Sequence, residues 1–204
     1  MIKTAFIYPG QGAQKAGMGA DFYEKSPAVR EIFDQASKVL DLDMKALCFE
    51  KNDKLDLTEY TQAALVTTCL AMTKVVEEAG ITPDITAGLS LGEYAAIAAA
   101  GGMDDMDAIR LVRKRGILMQ NTVPAGEGAM CAVMAMDAEK IEQVIADIPE
   151  VEVANYNCPG QIVITGRKEG VETAAVKLKD AGARRTMMLN VSGPFHSPLL
   201  KPAG

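Results

Sequence analysis

Residues Gly88-Leu89-Ser90-Leu91-Gly92-Glu93-Tyr94 have the G-x-S-x-G form. A short extended run, 84–87, precedes them, and an alanine-rich segment, 95–100, follows and reads as helix. Strand, sharp turn and helix in that order are what a nucleophile elbow requires. Such a turn forces the serine into a strained backbone, and the flanking glycines let strand and helix approach closely. The Ser90 hydroxyl then stands at the head of the helix, and the amide of Leu91 is free to donate to an oxyanion. The same letters also fit a glycine-bracketed helix start in which Ser90 is only a cap. The surroundings have to choose between the two.

Upstream, residues 61–79 are strongly helical. Leu65, Cys69, Met72, Val76 and Ala79 form one stripe, and Ala63, Ala64, Val66 and Leu70 widen it. A helix apolar on most sides is expected to be central and largely buried. Gly80 ends it and Pro83 prevents its resumption. Downstream, 104–123 reads as the next helix, with Ala108, Leu111, Arg115 and Leu118 on one line at spacings of three and four. An arginine on an apolar line either snorkels to water or meets an anion.

The chain opens with an expected buried strand, 3–8, rather than a signal peptide. It runs into Pro9-Gly10-Gln11-Gly12-Ala13-Gln14. A dinucleotide fingerprint is not met: Lys15 stands where the third glycine belongs, and no acidic residue follows a second strand about twenty residues on. Gln11 instead offers a backbone amide and a side-chain amide at a strand end. Ser26-Pro27 opens a helix carrying Val29, Ile32, Phe33, Ala36, Val39 and Leu40. A shorter helix is expected within 41–50, and 51–56 is a solvated connector.

From Ala129 the texture changes. An apolar strand (129–136) leads to Asp137, which caps a helix bearing Ile141, Val144, Ile145 and Ile148. Strands at 151–156 and 161–165 are joined by the turn Asn157-Cys158-Pro159-Gly160. A helix over 171–181 and a strand over 186–191 follow. The order β-α-β-β-α-β is that of a ferredoxin-like unit. It is read as a subdomain, 125–189, inserted into a core made of 1–124 and 190–204. Beyond it lies Ser192-Gly193-Pro194-Phe195-His196-Ser197-Pro198, a rigid loop around the single histidine of the chain.

With 204 residues, the chain is long enough for one large domain or two small ones. It has no tryptophan and few aromatics, so the core must be aliphatic and rich in methionine. A net charge of −6 argues against a nucleic-acid partner. An acidic partner would have to find a local basic patch, for which Arg184 and Arg185 with Lys177 and Lys179 are the candidates. The four cysteines, Cys48, Cys69, Cys131 and Cys158, are scattered and contain no C-x-x-C, so reduced thiols of a cytoplasmic protein are expected. No apolar run approaches membrane-spanning length. One histidine excludes a histidine-rich metal site and leaves one imidazole to serve as base for a serine.

Five segments in fixed order, Pro9-Gly10-Gln11-Gly12, 88–94, Arg115-Gly116 with Met119-Gln120, 157–166 and 193–197, together resemble the malonyl-CoA:acyl carrier protein transacylases of fatty acid synthesis. They cover the whole chain. The resemblance implies an α/β fold, an α/β-hydrolase-like core with a parallel sheet and a ferredoxin-like insert. It implies Ser90 as nucleophile, His196 as its base, and the amides of Gln11 and Leu91 as the oxyanion hole. Arg115 would grip the malonyl carboxylate, and Asn157 would line the site. The expected substrates are malonyl-CoA and an acidic acyl carrier protein, with no metal and no cofactor beyond the coenzyme A thioester itself. A cytoplasmic monomer without nucleic-acid or membrane partners is expected. Two departures stand out. Leu89 occupies a position that is histidine in many members, and members continue well past Gly204. Other readings of the same residues are an α/β-class hydrolase, an acyltransferase domain of a polyketide synthase, and an inactive truncated fragment that binds malonyl groups. Met1 and the absence of linker sequence favour a free-standing enzyme over the polyketide synthase domain.

Overall fold

The computed structural model of the chain describes residues 3–124, 126–189, 191 and 193–204. Met1 and Ile2 ahead of the first strand, Ala125 and Asn190 at the expected subdomain boundaries, and Ser192 ahead of His196 lie outside the described residues. The chain divides into two units, Met1–Ile117 and Leu118–Gly204.

In the first unit, β1 (Ala5–Tyr8) and β2 (Ile85–Gly88) form a parallel pair, in register from Ala5 opposite Ile85 to Tyr8 opposite Gly88. The expectation of a buried first strand is corrected: Ile7 is 78% exposed, and only Tyr8 is buried. Successive side chains of a strand point to opposite faces. Here Phe6 and Tyr8 face the core of this unit, while Ala5 and Ile7 turn away from it. After α1 (Ala20–Lys25), the Ser26 hydroxyl accepts from the Val29 amide and Pro27 begins α2 (Pro27–Leu40). Buried Phe33 of α2 meets Tyr23 and also Phe49 of α3 (Met44–Phe49), with ring centroids 5.9 and 5.0 Å apart. The Asp43 carboxylate caps α3 through the Lys45 and Ala46 amides.

The central helix, α4 (Thr58–Glu78), starts three residues earlier than the apolar pattern suggested. Its first half is buried almost all round, including Thr58, Thr61, Gln62, Thr67 and Thr68. Toward its end Cys69, Met72 and Val76 are half-buried and Ala79 is exposed. Cys69, Met72 and Val76 line an open apolar groove of about 370 Å³ with Phe6, Ile7 and Pro9. α5 (Gly92–Ala99) follows β2 directly, and α6 (Asp105–Thr122) comes next. The proposed line on α6 is also corrected. Leu111 and Leu118 are 41% and 39% exposed; the buried face is Met106, Ala108, Ile109, Val112 and Gly116. The helix is turned so that its only glycine meets α4: a Cβ on Gly116 would lie 2.7 Å from the Thr58 carbonyl oxygen.

In the second unit the order is β3 (Gly128–Met134), α7 (Ala138–Ile145), β4 (Val151–Cys158), β5 (Gln161–Arg167), α8 (Lys168–Asp180) and β6 (Arg185–Met188). The strands form one antiparallel sheet in the order β4-β5-β3-β6. Ile141 and Ile145 of α7 and Val171, Ala174 and Leu178 of α8 share a core with Cys131, Val133, Ile162 and Ile164 of the sheet. Opposite-facing Met130, Ala132 and Val163 pack with Val123, Phe195 and Leu200. Asp137 stands at the N-cap of α7, but its side chain makes no capping bond, against expectation. Asn157 and Cys158 belong to β4, not to the turn, because the ladder runs on to the Cys158–Gln161 pair across two irregular registers. Pro159 and Gly160 alone make the connection. β6 starts one residue early and stops at Met188. Parallel and antiparallel sheets with helices between strands make the chain an α/β protein. Among the described residues, no helix is long and apolar enough to cross a membrane.

Candidate active site

β2 ends at Gly88 and α5 begins at Gly92, so three residues make the turn. Ser90 takes φ 50°, in the left-handed region where a side chain is strained by about 1–3 kcal/mol. The Gly92 amide donates to the Leu89 carbonyl at 2.9 Å and the Glu93 amide to that of Ser90 at 3.2 Å. Both glycines are there for closeness. A Cβ on Gly88 would fall 2.0 Å from the Gly92 carbonyl carbon, and one on Gly92 would fall 2.4 Å from the Tyr8 carbonyl oxygen. Strand end, turn and helix head are thereby pressed against the end of β1.

That contact carries Gln11 to the elbow. Gly10 abuts the Leu89 carbonyl, where a Cβ would sit 2.9 Å away. The Gln11 side-chain amide donates to the Thr58 hydroxyl at 3.0 Å, which ties the segment after β1 to the head of α4. Among the described residues, neither the Gln11 nor the Leu91 backbone amide has a backbone acceptor. Leu91 is buried, and Ser90 is half-buried.

Arg115 reaches the same place from α6. Its Nη2 donates to Ser90 Oγ at 3.4 Å, a long and weak bond, and its Nη1 donates to Gln62 Oε1 at 2.8 Å. The guanidinium lies 5.5 Å from the centroid of the Tyr94 ring. Burial pulls its pKa down, and Tyr94 acts against that shift; an arginine so placed stays cationic at neutral pH. Among the described residues, no carboxylate forms an ion pair with it. Of the two outcomes the sequence left open, snorkelling to water does not occur: the head group turns toward the serine.

The remaining candidates belong to the second unit. Asn157 is exposed near the end of β4. His196 is exposed in a turn at φ 59°; like Ser90, it is one of five non-glycine residues at positive φ among the described residues. Its loop is fixed on either side. The Phe195 amide donates to the Gly193 carbonyl and the Ser197 amide to the Pro194 carbonyl. Phe195 is buried, and Pro194 fills the space a Cβ on Gly128 would need. The Ser197 hydroxyl caps the short 3-10 helix Pro198–Ala203.

Sequence reading missed Gln62, Tyr94 and Thr58. Gln62 had a signal: an amide within a helix segment otherwise apolar nearly all round must find a polar partner inside. Among the described residues, no cluster of three His, Cys, Asp or Glu side chains could hold a metal ion. A strained hydroxyl within 3.4 Å of a guanidinium, at the head of a helix whose Leu91 amide has no backbone acceptor among the described residues, can hold an acyl group and the anion formed on it.

The model of the acyl transferase domain matches residues 5–204. The malonyl CoA-acyl carrier protein transacylase of Bacillus subtilis is 51% identical over 208 residues, spanning 100% of this chain and 66% of its own length. The chain thus spans just under two thirds of that relative. A Streptococcus pneumoniae structure described as MCAT superposes with a TM-score of 0.93 at 48% identity, over 98% of this chain and 67% of the other. A malonyl-transacylase solved in complex with its type II PKS acyl-carrier protein gives a TM-score of 0.95 at 43% identity, over 99% and 67%.

Proposed function

The chain belongs to the acyl transferase domain family, and from that premise we propose that it transfers a malonyl group from coenzyme A to the thiol of acyl carrier protein through an acyl-serine. Ser90 attacks the thioester carbonyl as His196 takes its proton. The carbonyl oxygen becomes an anion between the amides of Gln11 and Leu91, where loss of one donor costs roughly 3–4 kcal/mol in the barrier. The C–S bond breaks, and the coenzyme A sulfur leaves with the proton from His196. The carrier thiol then gives its proton to His196 and attacks the acyl-serine; the C–O bond breaks, and Ser90 leaves with that proton from His196. Arg115 holds the malonyl carboxylate by two parallel bonds, and Asn157 lines the site. The single observation that carries this reading is Arg115 Nη2 at 3.4 Å from the oxygen of a serine held at φ 50°.

We read residues 1–124 with 190–204 as an α/β-hydrolase-like core and 125–189 as a ferredoxin-like insert. The sheet order β4-β5-β3-β6 with helices after its first and third strands supports the insert. Four free thiols support a reducing, cytoplasmic setting, and the monomer is the state in which we expect it to act. The test is incubation with malonyl-CoA followed by intact-mass measurement and peptide mapping. A malonyl adduct on Ser90, discharged by carrier protein to acyl-carrier product, is expected. Folded protein without an adduct would overturn the reading, and free malonate in place of acylated carrier would make the protein a hydrolase.

A further inference from the structure

Two arginines on α6 are anchored to the first turns of α4 by different chemistry. Arg113 pairs with the Glu59 carboxylate at 2.9 Å. Arg115, two positions on, meets instead the amide oxygen of Gln62, which is 0% exposed. Its other support, the Tyr94 ring, is also uncharged. Glu93 acts on the Arg115 charge at a distance but forms no ion pair with it among the described residues, so the groups that hold this half-buried cation directly are neutral.

We propose that Gln62 is a positioning residue that makes the site select acyl groups bearing a carboxylate: its neutral oxygen fixes one edge of the Arg115 fork and leaves the charge for the substrate. With Nη1 held by Gln62, the Nη2 edge faces Ser90, where an acyl group would be attached. A glutamate at position 62 would hold the same edge but neutralise the cation before any substrate arrived. This inference rests on Arg115 as the malonyl clamp.

The test compares Gln62→Glu and Gln62→Leu with the parent chain. Acylation rates from malonyl-CoA and acetyl-CoA are followed by intact mass, with melting temperature as the check on folding. Gln62→Glu is expected to lower the malonyl-to-acetyl ratio by about tenfold or more, as a resident carboxylate takes the charged hydrogen bonds meant for the substrate. Gln62→Leu frees the fork without neutralising it and is expected to lower the ratio by about threefold, mainly through the KM for malonyl-CoA. In an Arg115→Ala background, Gln62→Glu should leave the ratio where that substitution put it; a purely structural role would not produce this dependence. If Gln62→Glu does not fold, the Gln62→Leu ratio decides. An unchanged ratio in the folded variant overturns the inference while the parent's malonyl adduct keeps the clamp reading standing. A parent chain that takes no malonyl group overturns both.

Discussion

A guanidinium has five donors in a fixed plane, and Arg115 commits only part of that set: one strong bond to Gln62 and one long contact to Ser90. The weak contact is the one a substrate carboxylate can replace at little cost. With malonyl present, the fork would gain two charge-assisted bonds; with acetyl it would remain uncompensated. Arg115→Ala is therefore expected to lower kcat/KM for malonyl-CoA by about 100-fold, the loss of two charged hydrogen bonds, and to raise acetyl transfer relative to malonyl. Competition between differently labelled thioesters measures the ratio directly, and an unaltered ratio would remove Arg115 from the clamp. Lysine at this position should recover little, since a point charge cannot reproduce the paired geometry.

The elbow was legible because its signal is local. Gly88, Ser90 and Gly92 lie within five residues, and the strand before and helix after them follow from neighbouring sequence. What presses on the turn was not legible: the Tyr8 carbonyl is more than eighty positions away, and only the pairing of β1 with β2 brings it to Gly92. The same holds for α6. Its periodicity allowed several faces, and the buried one is chosen by the close approach of Gly116 to Thr58, which no helical pattern encodes. In the second unit, the bulged registers of β4 against β5 carry Asn157 out of the turn and into the strand. Gly92→Ala tests the element as a whole. A methyl 2.4 Å from one backbone oxygen and 2.7 Å from another has no side chain to displace, so β1 and α5 must separate. The expected loss is about 2–3 kcal/mol, or a fall in Tm of about 4–12 °C. Acylation should fall with it even below the melting transition, because the helix head that supplies the Leu91 amide moves. A variant with native Tm and native acylation rate would mean that the elbow does not depend on this contact.

Over the whole chain, the order of elements was read correctly through β-α-β-β-α-β, because each of those segments buries one face against its own sheet. Where an element meets partners far away in sequence, as Ile7 and the end of α4 show, burial could not be inferred from apolarity alone. Charge is the whole-molecule property that bears on function. At −6 the chain would repel an acidic carrier protein at long range, so the proposed transfer needs a local field of opposite sign. Arg184 and Arg185 are exposed at the start of β6, an edge strand of its sheet, and Lys177 and Lys179 are exposed in the last turn of α8, which packs against that strand. Asp180 is the acidic residue between them in sequence, which leaves an excess of positive charge on this stretch. Charge reversal at Arg184 and Arg185 is expected to raise the KM for carrier protein about tenfold at low salt. The difference should fade as ionic strength approaches 1 M, where the screening length is about 3 Å. In the proposed reaction the malonyl loading of Ser90 involves no carrier protein and should keep its rate. A carrier KM that is unaltered at low salt would place the docking surface elsewhere, and a loss of malonyl loading would show that the two arginines act on the site and not on the encounter.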